Sequence, residues 1–306
     1  MKGRMLCISL WLDSALLTSG PAHAQEAIER IPMEFADGLI IIPVHVNGRE
    51  DPLDFMFDTG AGVTAIDAGV SEEMALITSG SARIGTASRS LKVQESLSNT
   101  LRLGNRFILD SISLFVMDLR HLSEHLKTDI DGIIGFDLLD KVVVETNMDR
   151  REMVLFTEEG HSYRGLGVPL ELTELESNHF GIPVTIRTKG EQASREVILK
   201  MDTGADNHIT FHKDAVDGYG LLDKKKRHKV REGFGVDATI TRNLRGRISR
   251  ASLASKEWKN VPVIYEVDPL NHIAERKGDG LIGQELLRDF NITYKLAEGV
   301  VYFERR

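Results

Sequence analysis

The chain states one pattern twice, and that repetition limits what it can fold into. Phe55-Met56-Phe57-Asp58-Thr59-Gly60-Ala61 returns as Leu199-Lys200-Met201-Asp202-Thr203-Gly204-Ala205. Upstream, Ile31-Pro32-Met33-Glu34-Phe35 matches Val168-Pro169-Leu170-Glu171-Leu172, and Ile42-Pro43-Val44-His45-Val46 matches Ile182-Pro183-Val184-Thr185-Ile186. Downstream, Asp131-Gly132-Ile133-Ile134-Gly135 matches Asp279-Gly280-Leu281-Ile282-Gly283. Each half closes on an apolar run, Met153-Val154-Leu155-Phe156 and Val300-Val301-Tyr302-Phe303. A lone Asp-Thr-Gly arises by chance in roughly 5% of chains this long. Two copies, each after an apolar run and each followed at a similar distance by an apolar-apolar-Gly element, mark a duplicated domain.

The repeated runs are short, β-branched and alternating, with turn residues between them, so the expected class is all-β. Few helices are expected, with short ones over Val70 to Leu76, Phe136 to Asp140 and Gln284 to Asp289. The glycine-bearing polar stretch from Thr157 to Gly167 reads as the linker between halves. This divides the chain into residues 25–160 and 161–306, two pseudo-twofold-related lobes around a central cleft.

The paired motifs carry a definite chemistry. An apolar strand delivers each Asp to a buried loop, and the following Gly permits a turn that a Cβ would obstruct. A buried Thr hydroxyl can bond across to the other loop and hold two carboxylates together against their repulsion. Two carboxylates sharing a site retain one proton between them over a wide pH range. The ionised member can then act as base on a water while the protonated member donates to a carbonyl oxygen.

On these residues the chain resembles the pepsin/retropepsin superfamily of aspartic peptidases, specifically bacterial retropepsin-like proteins with tandem lobes. The resemblance spans nearly all of residues 31–303. It implies an aspartic endopeptidase with Asp58 and Asp202 as the catalytic dyad and Thr59 and Thr203 as an interlobe hydroxyl lock. Gly60 and Gly204 would close the catalytic turns, and the apolar-apolar-Gly elements would pack those turns from behind. It also implies flaps over the cleft, with substrate-binding candidates Gly85 and Thr86 in the first half and Gly233 and Gly235 in the second. The substrate would be an extended peptide or protein, with no cofactor and no metal, and a monomer would suffice. A peptide-binding protein that keeps the fold without turnover is the alternative. Two departures from pepsins stand out. No Tyr occurs before position 163, and Ala61 and Ala205 stand where pepsins usually place a hydroxyl. The missing hydroxyls remove one means of favouring an ionised carboxylate, so the expected working pH is weakly acidic to neutral.

Other signals are weighed against this frame. A formal net charge of −8 argues against nucleic-acid or anionic-membrane partners. The run Lys224-Lys225-Lys226-Arg227-His228-Lys229 reads as a solvated segment. His121-Leu122-Ser123-Glu124-His125 has the literal pattern of an inverted zinc-peptidase motif, but no third ligand is evident, and a solvated loop or short helix is expected. Asp206, Asn207 and His208 differ from their first-half neighbours and are expected to make structural hydrogen bonds near a turn. Asn291-Ile292-Thr293 is a formal glycosylation sequon inside an expected core strand. Residues 1–24 have a Lys2/Arg4 start, an apolar stretch and small residues before Gln25, the layout of a secretory signal peptide. With Cys7 inside that segment, the mature chain would hold no cysteine, which suits export to a bacterial periplasm or secretion without disulfides. Gln25 to Arg30 is too short for an inhibitory prosegment, and none is expected.

Overall fold

The computed structural model describes residues 26–85, 90–222, 228–267 and 277–306. The signal-peptide segment, Thr86, Lys224 to Arg227 and Pro269 to His272 lie outside the described residues.

In the first half, β2 (Glu34–Ala36), β3 (Leu39–Val46), β4 (Leu53–Phe57), β5 (Thr64–Asp67), β6 (Ser81–Gly85), β7 (Ser90–Leu103), β8 (Phe107–Met117) and β9 (Gly132–Ile134) form one sheet. Its order is β2-β3-β4-β9-β5-β8-β7-β6, and β3 also pairs with β7, closing six of these strands into a ring. The second half repeats the plan with β13 (Thr173–Glu174), β14 (Phe180–Arg187), β15 (Arg195–Asp202), β16 (Ile209–Phe211), β17 (Lys229–Phe234), β18 (Ile240–Leu253), β19 (Lys256–Tyr265) and β20 (Gly280–Gly283). Their order is β13-β14-β15-β20-β16-β19-β18-β17, with β14 also on β18. Position for position, the two orders are the same.

The halves are joined by a third sheet. It takes β1 (Glu29–Pro32), β10 (Val143–Asn147) and β11 (Glu152–Phe156) from the first half. From the second it takes β12 (Val168–Glu171), β21 (Phe290–Lys295) and β22 (Val300–Arg305). The order β1-β11-β10-β21-β22-β12 places the seam between β10 and β21, where Glu145 lies opposite Thr293. Between β11 and β12, residues 157–167 form turns and irregular chain.

Alternation decides which face of each strand is buried. Val197, Leu199 and Met201 point into the second lobe, and Ile42 and Val44 into the first. These side chains belong to one apolar cluster that runs through both lobes, with Phe55, Phe57, Phe211, Phe290 and Phe303 fully enclosed. A second cluster covers the other face of the first-lobe sheet. There Leu39, Ile41, Met56 and Ile133 pack with Leu119 and Leu126, the latter on helix α2 (Arg120–Leu126).

The helices are short. The first, α1 (Ala68–Glu73), begins two residues before the expected start because Asp67 caps it, accepting from the amides of Gly69 and Val70. Helices α3 (Phe136–Leu139) and α5 (Gln284–Leu287) follow Gly135 and Gly283, as expected, while α4 (Lys213–Gly218) follows β16. Asn291 lies in β21, where its side chain accepts from Met148 N and donates to Asp149.

Candidate active site

The two Asp-Thr-Gly loops meet at the floor of the cleft. In each lobe the strand before the Asp runs parallel to the apolar-apolar-Gly strand: Met56 pairs with Ile133, and Met201 with Ile282. The glycine that ends this strand is required by close approach. A Cβ on Gly135 would lie 2.6 Å from the Ala61 carbonyl oxygen, and one on Gly283 2.8 Å from that of Ala205. The next amide closes the support, since Phe136 N donates to Ala61 O at 3.0 Å and Gln284 N to Ala205 O at 2.9 Å. A matched brace stands further back. The amide of Asp54 donates to the Asp131 carboxylate and that of Ile198 to the Asp279 carboxylate, both at 2.8 Å.

Across the lobes, the threonines bond reciprocally. Thr59 N donates to Thr203 Oγ1 at 2.9 Å, Thr203 N donates to Thr59 Oγ1 at 3.1 Å, and Thr203 Oγ1 donates to Phe57 O at 2.9 Å. Both threonines are buried, so these bonds replace water that the backbone amides cannot otherwise reach. The glycines are equally reciprocal. A Cβ on Gly60 would stand 2.6 Å from Asp202 Cγ, and one on Gly204 would collide with Asp58 Cγ. Each turn therefore lies directly against the opposite lobe's carboxylate.

The carboxylates have different surroundings. Asp58 Oδ1 accepts from Gly60 N at 2.7 Å and from Gly204 N at 3.2 Å. Burial, reinforced by the Asp202 carboxylate, pushes the Asp58 carboxyl up to about 7. Asp202 receives a side chain instead, with Lys200 Nζ 2.9 Å from its Oδ2. His179, from the turn between β13 and β14, lies beside them, its ring donating to the backbone of Gly60. Burial and the Lys200 ammonium hold that imidazole down to about 4, so it is neutral where Asp58 titrates.

The flap candidates fall on two hairpins. Gly85 ends β6, paired with Ser90. Gly233 is not at a tip: it pairs with Thr241 inside the β17–β18 ladder, because the strand pattern continues through it to Phe234. The turn starts at Gly235, whose carbonyl accepts from His121 Nε2 at 3.1 Å. Val236 packs on the first-lobe cluster that contains Leu122, so the second hairpin reaches across to helix α2.

The His-x-x-Glu-His stretch thus forms a helix whose histidines face the other lobe. His125 Nε2 stands 3.5 Å from Asp206 Oδ2, and Arg231 Nη2 lies 3.3 Å from Asp206 Oδ1. Ligand atoms of Asp37, His125 and Asp206 lie within 4.8 Å of one another. Asp37 and His125 are exposed, however, and Asp206 already faces the Arg231 guanidinium, so the group serves the lobe contact rather than an evident cation. The second Asp-Thr-Gly loop is one residue longer than the first. Ile209 occupies the place of Thr64, as their parallel pairings with Val263 and Leu114 show. The extra length carries Asp206 outward and leaves His208 O to accept from Gly283 N at 2.9 Å. Away from the dyad, a cavity of about 300 Å³ against the joining sheet is lined by Arg30, Glu145, Tyr163 and Glu304 among others.

Lys200 and His179 were not among the residues singled out in the sequence. A signal for Lys200 exists, since strand alternation puts it on the same face as Asp202. His179 is brought in only by the fold.

Residues 42–138 match the family model described as aspartyl protease. Among solved structures, the crystal structure of the aspartic proteinase from Irpex lacteus aligns with a TM-score of 0.55 at 14% identity. The alignment covers 90% of this chain and 97% of that one. No curated protein matches the chain significantly in sequence.

Proposed function

We propose that this chain is an aspartic peptidase of the pepsin/retropepsin superfamily and that it hydrolyses peptide bonds with a water held between Asp58 and Asp202. The observation that carries this reading is the reciprocal packing of the two loops, each glycine against the other lobe's carboxylate, with the Thr59–Thr203 bonds beneath. Carboxylates brought this close share a proton, which supplies one base and one acid in the same site.

The chemistry then balances without another group. The ionised carboxylate takes a proton from water as its oxygen attacks the scissile carbonyl carbon. The protonated carboxyl passes its proton to the carbonyl oxygen, giving a neutral gem-diol. Return of the proton from the base to the amide nitrogen breaks the C–N bond, and the gem-diol hydroxyl gives its proton back to the acid. An extended peptide would lie under the two hairpins and pair through its backbone. Export, with residues 1–24 removed as a signal peptide, is proposed on the sequence pattern alone.

The test is cleavage of a peptide library across pH by the wild type, Asp58→Asn and Asp202→Asn. Each substitution is expected to lower turnover by about 10³-fold or more. Wild-type protein that cleaves nothing from pH 3 to 8, or cleavage that survives either substitution, would overturn the proposal.

A further inference from the structure

The duplicated motifs imply two equivalent carboxylates, but the residue two places before each Asp breaks that equivalence. Successive side chains on a strand alternate, so Lys200 and Asp202 project from the same face of β15. Their ion pair is shielded, with the two side chains 20% and 12% exposed. In the first lobe the matching position is Met56, which sits opposite Ile133 as Lys200 sits opposite Leu281. Met56 is 4% exposed and packs with Leu39 and Ile41. The difference extends to a second position. His179 precedes Phe180 at the start of β14, where the first lobe has Leu39 preceding Ile40 in β3. A polar pair beside Asp202 therefore replaces an apolar pair beside Asp58.

We infer that Lys200 is a positioning residue that holds Asp202 as the ionised, water-activating carboxylate and leaves the shared proton on Asp58. This assignment rests on the dyad reading above. An ammonium in contact with one carboxylate oxygen favours the charged form of that carboxylate over its partner's, most strongly where water is scarce. Asp58 suits the complementary role: its Oδ1 accepts two amide hydrogens, which leaves Oδ2 to carry a proton toward a carbonyl oxygen. Two further titratable groups stand on the β13–β14 turn: His179, which feels both Lys200 and Asp202, and Glu176, which acts on His179. His179 is held neutral by burial and by Lys200, so the ammonium remains the cation next to the dyad. The upward displacement of Asp58 to about 7 has the same sense.

Two measurements test the assignment. The first is free of turnover: carboxyl-carbon NMR titration of protein labelled with 13C-aspartate, the two signals identified from Asp58→Asn and Asp202→Asn. The Asp202 signal is expected to ionise first and that of Asp58 at least about two pH units later. If Asp202 holds the proton at pH 5, the inference is wrong, whether or not the protein cleaves peptides. The second compares pH profiles of kcat/KM for Lys200→Met, which copies the first lobe, and Lys200→Arg. In Lys200→Met the acid limb should rise by about one pH unit or more, while Lys200→Arg should restore it. Active Lys200→Met protein with an unmoved acid limb would reject the role of Lys200 and leave the peptidase reading intact.

Discussion

The two lobes share strand order, register and an Asp-Thr-Gly loop, yet they cover the face around the carboxylate differently. The first lobe buries it under an apolar layer, with Leu39, Met56 and Ile133 packed toward Leu119 and Leu126. The second leaves Lys200 and His179 there, each partly exposed. What the loops need in common is kept in both: a parallel strand behind, a glycine of close approach, and a threonine bonded across the lobes. The layer outside those contacts carries no such constraint, so there the lobes are free to differ. On the proposed assignment, two like carboxylates become distinguishable through residues outside the Asp-Thr-Gly loops.

Moving the charge to the wrong lobe is the most severe test of this contrast. Met56→Lys would place an ammonium among buried apolar side chains, an expected loss of about 3 kcal/mol in stability by urea unfolding. Lys200→Met, at a position already partly open to water, should cost less than about 1 kcal/mol. Equal losses would mean that the two faces are not distinct environments.

A second effect, of about 2 kcal/mol, concerns Asp58 and pH. Its folded-state value of about 7 lies above the ordinary aspartate value of about 3.8, so between these the folded protein holds a proton that the unfolded chain has lost. The carboxyl therefore weakens the fold progressively from about pH 4 to 7, and the full penalty remains above that. Asp58→Asn removes the ionisable group and should raise stability at pH 8 by about 2 kcal/mol. That is roughly half the full linkage of about 4 kcal/mol, because the cleft admits water. The gain should vanish near pH 4; a gain independent of pH would show that burial of this carboxyl is not its origin. The same titration removes the acid of the dyad, so activity should fall as pH rises through about 7.

The smallest asymmetry lies in the threonines. Thr203 Oγ1 both accepts from Thr59 N and donates to Phe57 O, whereas among the described residues Thr59 Oγ1 accepts from Thr203 N alone. Thr203→Val is expected to lower stability by about 2 kcal/mol and Thr59→Val by about 1 kcal/mol. Thermal unfolding of both variants checks the order.

Much of this architecture was legible because duplication makes each half a control on the other. The strand pairs, the helices after Gly135 and Gly283, and the residues at the floor of the cleft all follow from matched segments. Less legible were features that depend on which side chains meet across space. The role of His121 and His125 required knowing that α2 faces the second hairpin. The placement of Gly233 inside a ladder, rather than at a tip, depends on how far β17 continues. His179 approaches Gly60 from a turn whose position no local pattern encodes. Lys200 lies between: alternation aligns it with Asp202, but only the fold shows that the pair is largely shielded from water.

The seam of the joining sheet carries a last consequence. Glu145 and Thr293, which correspond to each other in the two halves, lie directly opposite, while Val144–Tyr294 and Thr146–Ile292 flank them as mirror partners. The chain therefore meets itself as the subunits of a twofold dimer would, through an isologous surface. Tethering turns that association into an intramolecular event, independent of protein concentration. It also lifts a symmetry requirement. A true dimer of one lobe would carry the same residue on both sides of the cleft, lysine twice or methionine twice. A single chain with two lobes can carry one of each, and so can place a permanent charge on one side of the cleft alone.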